Sequence, residues 1–330
     1  MVEVRIEKGD SGQRLNKFLM KYLKDAPSSF VYKMLRKKNI VLNDKKAKGD
    51  ELLCVDDIVK LYLSDDTVAK FRGTNNVEVS KPKLGITILY EDDDIIAVHK
   101  KQGVLSQKAK KDDYSINEAI VDYVRTNKEK YKLSETFTPS VCNRLDMNTS
   151  GIILAGISLN GSQYLSKVLK DRTIDKYYYT LVMGHMNNII HEKAYISKDN
   201  EKNISTVVTE AKYESLKTDA KFNPKDYSLI ETEFTPISKG IDITLVKVKL
   251  ITGKSHQIRA HLKHLGFPVA GDIKYGDRGF NNYLRDRYKL KNHLLHAGLV
   301  KLSEDIIIQD PLPSIFHKIC IGEGIEIKDM

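Results

Sequence analysis

The chain opens on helical patterns and then turns to strands. Leu15, Phe18, Leu19 and Tyr22 recur at the spacing of one helix face. Pro27-Ser28-Ser29 marks a second helix start, on which Val31 and Leu35 lead to the basic run Arg36-Lys37-Lys38. IVLN, the turn Asp44-Lys45-Lys46 and IVKLYL then alternate as strands do. Residues 1–65 are thus predicted to form a small unit of two helices plus strands. Residues 66–83, within SDDTVAKFRGTNNVEVSKPK, are polar, contain Gly, Asn and Pro, and show no sustained apolar periodicity, so they read as a linker. From Leu84 to residue 330 short apolar runs recur between turns: GITILY, IIAVHK, GIILAGI, KYYYTLVMG, DITLVKVKL and HLLHAGLVKL. Strands of this kind with a few helices, and without regular βαβ units, predict an α+β domain with a largely antiparallel or mixed sheet.

Composition changes this picture little. At 330 residues and 41% hydrophobic, the chain has ample material for a packed core. It has no apolar run near the ~20 residues a bilayer span needs, and MVEVRIEKGD lacks a secretory pattern, so the expectation is a cytoplasmic protein with no membrane partner. Cys54, Cys142 and Cys320 are scattered and odd in number, which argues against a disulfide framework or a thiolate metal site. Charge says more. The net charge is +10, and from Gln13 to Lys48 there are 11 Lys or Arg against 2 Asp. That net +9 in one short segment points to a polyanionic partner, although a charge run alone fits a solvated helix face equally well.

The common phosphate, nucleotide, serine-hydrolase and zincin signatures are absent. His256, His261 and His264 are the nearest approach to a metal set, but on one helix His256 would lie about 140° around the axis from His261, and no carboxylate or thiolate completes the group, so no metal is expected. The same segment reads as a helix with Ser255 as N-cap, an apolar stripe of Ile258, Leu262 and Leu265, and a polar stripe of His256, Arg259 and Lys263. Taken alone, Arg259 reads as a solvent-facing residue and Asp146 as a turn aspartate before NTSG.

The order of segments goes further. RLNKFLMKYL, SSFVYKMLRKKNIVLND and VDDIVKLYL, over residues 12–63, resemble a small RNA-binding module first described in a ribosomal small-subunit protein. CNRLDMNTSGIILAG, KYYYTLVMG and LITGKSHQIRAHLKHLGFPVAGDIKYG resemble the signature motifs of the RluA-type pseudouridine synthases, and IIAVHKKQGVLSQ resembles the strand and turn that open their catalytic domain. The architecture as a whole is similar to the large-subunit ribosomal RNA branch of that family.

The resemblance implies the pseudouridine synthase fold and an RNA uridine isomerase. Its chemistry breaks C1′–N1, turns the uracil and joins C5 to C1′, with no net oxidation and no group lost, so no cofactor is implied. Asp146 is then the catalytic carboxylate, acting as nucleophile at C1′ or as base at the 2′ position. Arg259 is the arginine beside it, which favours the ionised form. Tyr178 is the aromatic that stacks on uracil, with Tyr177 and Tyr179 left as core residues. Arg144 is the cation that fills the stack when the base is extruded. In the module, Arg14, Lys17, Lys21, Lys33, Arg36, Lys37 and Lys38 are expected to grip RNA. The expected partner is structured RNA of the 23S ribosomal type, bound by a monomer.

Two positions depart from the family pattern. Asn143 stands where histidine is usual, and Lys100-Lys101 replaces Lys-Pro, a change expected to alter the turn and leave the pocket intact. Two rival readings remain at this point. A non-catalytic RNA-binding or ribosome-assembly factor would need a broken site, and a nucleoside or glycoside hydrolase would release free base and generally needs two carboxylates.

Overall fold

The computed structural model describes residues 1–7, 9–72, 84–131, 136–219 and 222–327. The front unit runs β1 (Val2–Arg5), α1 (Leu15–Tyr22), α2 (Ser28–Arg36), β2 (Ile40–Leu42), β3 (Lys45–Lys46), β4 (Ile58–Leu61) and α3 (Asp65–Arg72). Its strands pair in the order β1-β4-β2-β3. Leu15, Phe18 and Leu19 of α1 and Val31 and Leu35 of α2 pack under this sheet, as their spacing predicts. The hairpin differs from expectation. Asn43 and Asp44 make the turn, both with positive φ (48° and 61°), and Lys45–Lys46 already form a strand. A two-residue loop needs left-handed backbone at both positions, and Asn and Asp tolerate it.

The linker is also shorter than its polarity implied. Residues 65–72 form α3, whose buried Val68 and partly buried Phe71 join the front core, with Phe71 against Phe30 at 4.7 Å between rings. Two large apolar residues among eight are too few to register as periodicity, yet they suffice to seat one face. The rest of the expected linker, residues 73–83, lies outside the described residues.

The second unit runs β5 (Thr87–Glu91), β6 (Ile95–Lys100), α4 (Ile116–Thr126), α5 (Lys128–Tyr131), β7 (Ser140–Val141), β8 (Ser150–Gly156), α6 (Leu159–Asp171), β9 (Asp175–Met183), β10 (Ile190–Asp199), β11 (Ile204–Val208) and α7 (Glu210–Leu216). It continues with β12 (Tyr227–Lys239), β13 (Ile243–Leu250), α8 (Gln257–His264), α9 (Arg278–Tyr288), β14 (Leu295–Lys301), β15 (Ile307–Gln309) and α10 (Ser314–Gly322). Among the described residues the main sheet follows β11-β10-β12-β13-β9-β14-β8-β6-β5. Its pairings are antiparallel except β14 with β8, so the expected mixed, largely antiparallel α+β sheet is the one observed.

Strand alternation divides the core. Val246 and Val248 of β13 and Tyr178 and Val182 of β9 face α4 and α8 on one side of the sheet. Ile243, Leu245 and Leu181 face α9 and α10 on the other. The loop before β8, the outward end of β9 and the buried side of α8 therefore meet on the first face. The two units touch where the Gln13 amide donates to Thr136 Oγ1 (3.3 Å), the Thr136 hydroxyl donates to Asp10, and the Gln163 amide reaches the Gly12 carbonyl (3.4 Å).

Candidate active site

Asp146 lies in the loop between β7 and β8, and nearly every neighbour in that loop is tied down. The Ser106 hydroxyl bridges both backbone groups of Leu145 (3.0 and 2.8 Å). The Thr149 N–H donates to the Asp146 carbonyl (3.0 Å), closing a turn. Lys100 Nζ donates to the Met147 carbonyl (2.9 Å) as well as to those of Val104 (2.8 Å) and Lys101 (3.2 Å). Beyond the turn, Thr149 Oγ1 bonds His293 Nε2 and Ser150 Oγ bonds His296 Nδ1, both at 2.9 Å. Gly151 then enters β8 with φ 119°, where a Cβ would stand 2.3 Å from the Ala297 carbonyl oxygen. Only glycine permits that approach of β8 to β14.

Arg259 comes from α8, a helix anchored by its own first residue. The Gln257 amide donates to Thr232 Oγ1 (2.9 Å) and the Glu231 carbonyl (3.2 Å), and its oxygen accepts from the Lys254 N–H (3.0 Å). Two residues on, Arg259 is buried and divides its guanidinium between two carboxylates. Nε and Nη2 donate to Asp272 (2.6 and 2.9 Å), while Nη1 donates to Asp146 Oδ2 (2.8 Å). The Asp272 side chain is 0% exposed and that of Asp146 27%. Asp272 accepts also from the backbone N–H groups of Lys274 (2.9 Å) and Tyr275 (3.1 Å).

This division sets the electrostatics. Burial opposes the Arg259 charge, but the bonds and charges of Asp272 and then Asp146 outweigh it and hold the group above the ordinary arginine value. Burial likewise works against ionised Asp272, and Arg259 reverses that, lowering its pKa. The buried Arg259–Asp272 pair is internally neutral, and the cluster of three keeps one net negative charge, on the more exposed carboxylate. Asp146 Oδ1 takes no hydrogen bond from any described residue.

Tyr178 is buried on the same face, and burial, followed by the nearby Asp146 charge, raises its pKa, so it remains a neutral phenol. Tyr179 is buried on the opposite face against Gly298. Tyr177 is half-buried there under Lys247 Nζ (4.5 Å), so it is a surface aromatic and not the core residue expected. Arg144 stands exposed two residues from Asp146.

Several expectations need correction. α8 starts after His256, which adopts a left-handed backbone (φ 56°), so Ser255 is not the N-cap and His256 is off the helical stripe. Arg259 is buried, not solvent-facing, because two carboxylates meet it there. His261 is buried against Thr232 while His264 is exposed, so the three histidines diverge. Asn143 bonds the β8 backbone at Ile152 (3.2 Å) and Leu154 (2.7 Å), acting as an added rung of the sheet. Lys100 belongs to the pocket, not merely to the turn; burial, opposed by Asp146, lowers its pKa to about 8. Lys100 shares strand parity with Ile96 and Val98, which was the available signal. Asp272, missed entirely, gave no local sign beyond a Gly-Asp turn.

Of the module cations, Lys17, Lys33, Arg36, Lys37 and Lys38 are exposed. Arg14 donates to the Asp50 carbonyl (2.7 Å) and Lys21 to Gln13 Oε1 (3.1 Å).

The mixed sheet has counterparts among solved structures. The human RNA pseudouridylate synthase domain containing 4 superposes with a TM-score of 0.57 at 17% identity, covering 73% of this chain and 94% of that one. The fold is therefore that of pseudouridylate synthase domains. Residues 94–264 match the RNA pseudouridylate synthase family, and the chain belongs to it: an isomerase acting on uridine in RNA. It is 29% identical over 305 residues to ribosomal large subunit pseudouridine synthase C of Vibrio vulnificus, covering 91% of this chain and 88% of that protein. It is equally 29% identical, over 94% of its length and 98% of the relative's, to an RNA pseudouridine synthase of Mycoplasma capricolum.

Proposed function

We propose that this enzyme converts specific uridines of structured large-subunit ribosomal RNA to pseudouridine, with Asp146 as the working carboxylate. The observation that carries the reading is the contact of Arg259 Nη1 with Asp146 Oδ2 (2.8 Å), made by an arginine whose own charge is already balanced by Asp272. Such an arginine orients one oxygen of Asp146 and leaves Oδ1 to attack C1′ or take the 2′ proton. Tyr178, protonated and beside it, offers a ring face to the uracil and a hydroxyl donor. Arg144 fills the stack that the extruded base leaves. The relatives named for ribosomal large-subunit RNA support the choice of substrate.

The front unit, which ends with α3, supplies further RNA affinity through Arg14, Lys17, Lys21, Lys33, Arg36, Lys37 and Lys38. Each of the site groups comes from one chain, which supports action as a monomer. We place this action in the cytoplasm, where bacterial-type ribosomal RNA is assembled. No helix among the described residues is long and apolar enough to cross a membrane. Pseudouridine mapping of total RNA from cells with and without the gene tests the reading. Loss of one or a few large-subunit sites is expected; loss confined to transfer RNA overturns the substrate, and release of free uracil by the purified enzyme overturns the reaction.

A further inference from the structure

Next to the Asp146–Arg259 pair, the hydroxyl of buried Tyr275 joins three segments distant in sequence. It accepts the backbone N–H of Ser205 in β11 (2.7 Å) and lies 2.9 Å from His256 Nδ1. An amide nitrogen only donates, so the phenolic proton is free for the imidazole, and we take Nδ1 as its acceptor. The neutral ring then carries its own hydrogen on Nε2. No described residue accepts a hydrogen bond from that Nε2.

Two lysines converge on the same place. Lys198 of β10 is the register partner of Ser205, and Ser205 Oγ reaches the Ser255 carbonyl (3.0 Å), beside His256. Directly paired residues share a face of the sheet, so Lys198 projects toward α8, on the side where Ala194 and Ile196 pack with Ala260 and Tyr275. Lys274 precedes Tyr275 and reaches the Asn203 carbonyl (2.9 Å) across the β10–β11 hairpin. Both lysines are exposed. Nearby acids are already engaged: Asp272 by Arg259, and Asp199 by Lys202 and the turn amides of Glu201 and Lys202. Burial lowers the His256 pKa; Asp146 opposes this while the charges of Arg259, Lys274 and Lys198 add to it, which agrees with a neutral ring within reach of all four.

We propose that His256 Nε2–H, Lys198 and Lys274 form a phosphate subsite that holds the RNA backbone beside the uridine at Asp146. A neutral donor fixed in direction by Tyr275 reads position, and two flexible ammonium groups supply charge. Phosphate oxygens are the ligand such a set fits, since every group in it donates and none accepts. The subsite rests on the reading of the Asp146 cleft as the place where uridine is modified.

The test is the affinity of the full-length protein for a large-subunit ribosomal RNA transcript, measured against potassium chloride concentration. Lys198→Ala/Lys274→Ala is compared with wild type and with Lys167→Ala/Lys170→Ala, a charge-matched control on exposed α6. The plot of log affinity against log salt should become shallower by about 1.4 to 1.8, at about 0.7 to 0.9 per phosphate contact, for the first pair only. His256→Asn tolerates the left-handed backbone but is too short to reach, and should weaken binding about tenfold with the slope kept. A wild-type slope for Lys198→Ala/Lys274→Ala, or an equal loss in the control, overturns the subsite. Asp146→Asn assayed alongside separates the two ideas. If it is inactive while the lysine pair binds as wild type, only the subsite fails; if it still makes pseudouridine, the cleft reading fails.

Discussion

In the front unit Lys17, Lys33, Arg36, Lys37 and Lys38 stand in solvent on two small helices and the turn after the second, whereas under α8 one guanidinium, 7% exposed, is shared by two carboxylates. The first arrangement is long-ranged, screened by salt and tolerant of any single loss. The second is short-ranged, insulated from salt and intolerant, because removing one partner leaves a desolvated charge unpaired. Attraction of a polyanion needs only the first. Positioning a carboxylate to a fraction of an ångström needs the second. Changes in the two regions should therefore differ in kind as well as in size.

The largest effect is expected at the exposed end of the buried cluster. Asp146→Asn keeps size and the contact with Arg259 but removes the anion, so pseudouridine formation should vanish while the melting temperature and RNA affinity persist. Measurable product from the purified variant would show that the carboxylate is not the working group. Next come the two buried members. Arg259→Met or Asp272→Asn strands a buried charge and should cost roughly 3–5 kcal/mol of stability as well as activity. Urea unfolding reads this, and a wild-type midpoint for both would dissolve the contrast with the surface cations.

A smaller effect is expected from pH. Burial, with Arg259 for His293 and His264 for His261, lowers the pKa of both histidines to about 4, although Asp272 and Asp146 act the other way on His293. In the unfolded chain they protonate near 6.5. Between these values the unfolded state binds more protons, so stability is full above about pH 6.5 and falls as pH drops toward about 4. His293→Gln, which can still bond Thr149, should flatten this slope; melting curves from pH 7 to 4 that superpose on wild type would exclude His293 as a contributor. The least disruptive change is in the front unit. A shortened chain beginning at Lys81 should fold, retain chemistry and bind RNA more weakly, with a shallower salt dependence. Loss of the fold would mean that the Gln13–Thr136 contact and its neighbours hold the second unit together.

How much of this was legible in the sequence differs between the same two regions. Helix α1 could be read from Leu15, Phe18, Leu19 and Tyr22 because a small unit with one core displays its periodicity plainly. Helix α3 could not, because Val68 and Phe71 alone meet that core. In the main sheet the strands were evident, but the site was reached through family motifs. Periodicity made Arg259 a surface residue because burial of a charge depends on a partner 113 residues away in sequence, which no local pattern encodes. Asp272 was hidden because its partner Arg259, though only 13 residues away, lies on α8 beyond an intervening turn. Lys100 was readable by parity with Ile96 and Val98, and it was overlooked because a lysine at a strand end resembles the start of a turn.

The position of β14 bears on how the protein is made. This strand, Leu295–Lys301, lies between β8 and β9 in the middle of the sheet, yet it is synthesised after both and after nearly all of the rest. Until it leaves the ribosome, β8 and β9 each present an unpaired apolar edge, the kind of surface on which nascent chains associate wrongly. The same late segment brings His293 and His296, which fasten the two ends of the Thr149–Ser150 step next to Asp146. A chain that stops just before residue 295 is thus an open sheet with a loose loop, and enzymatic competence waits on the synthesis of β14.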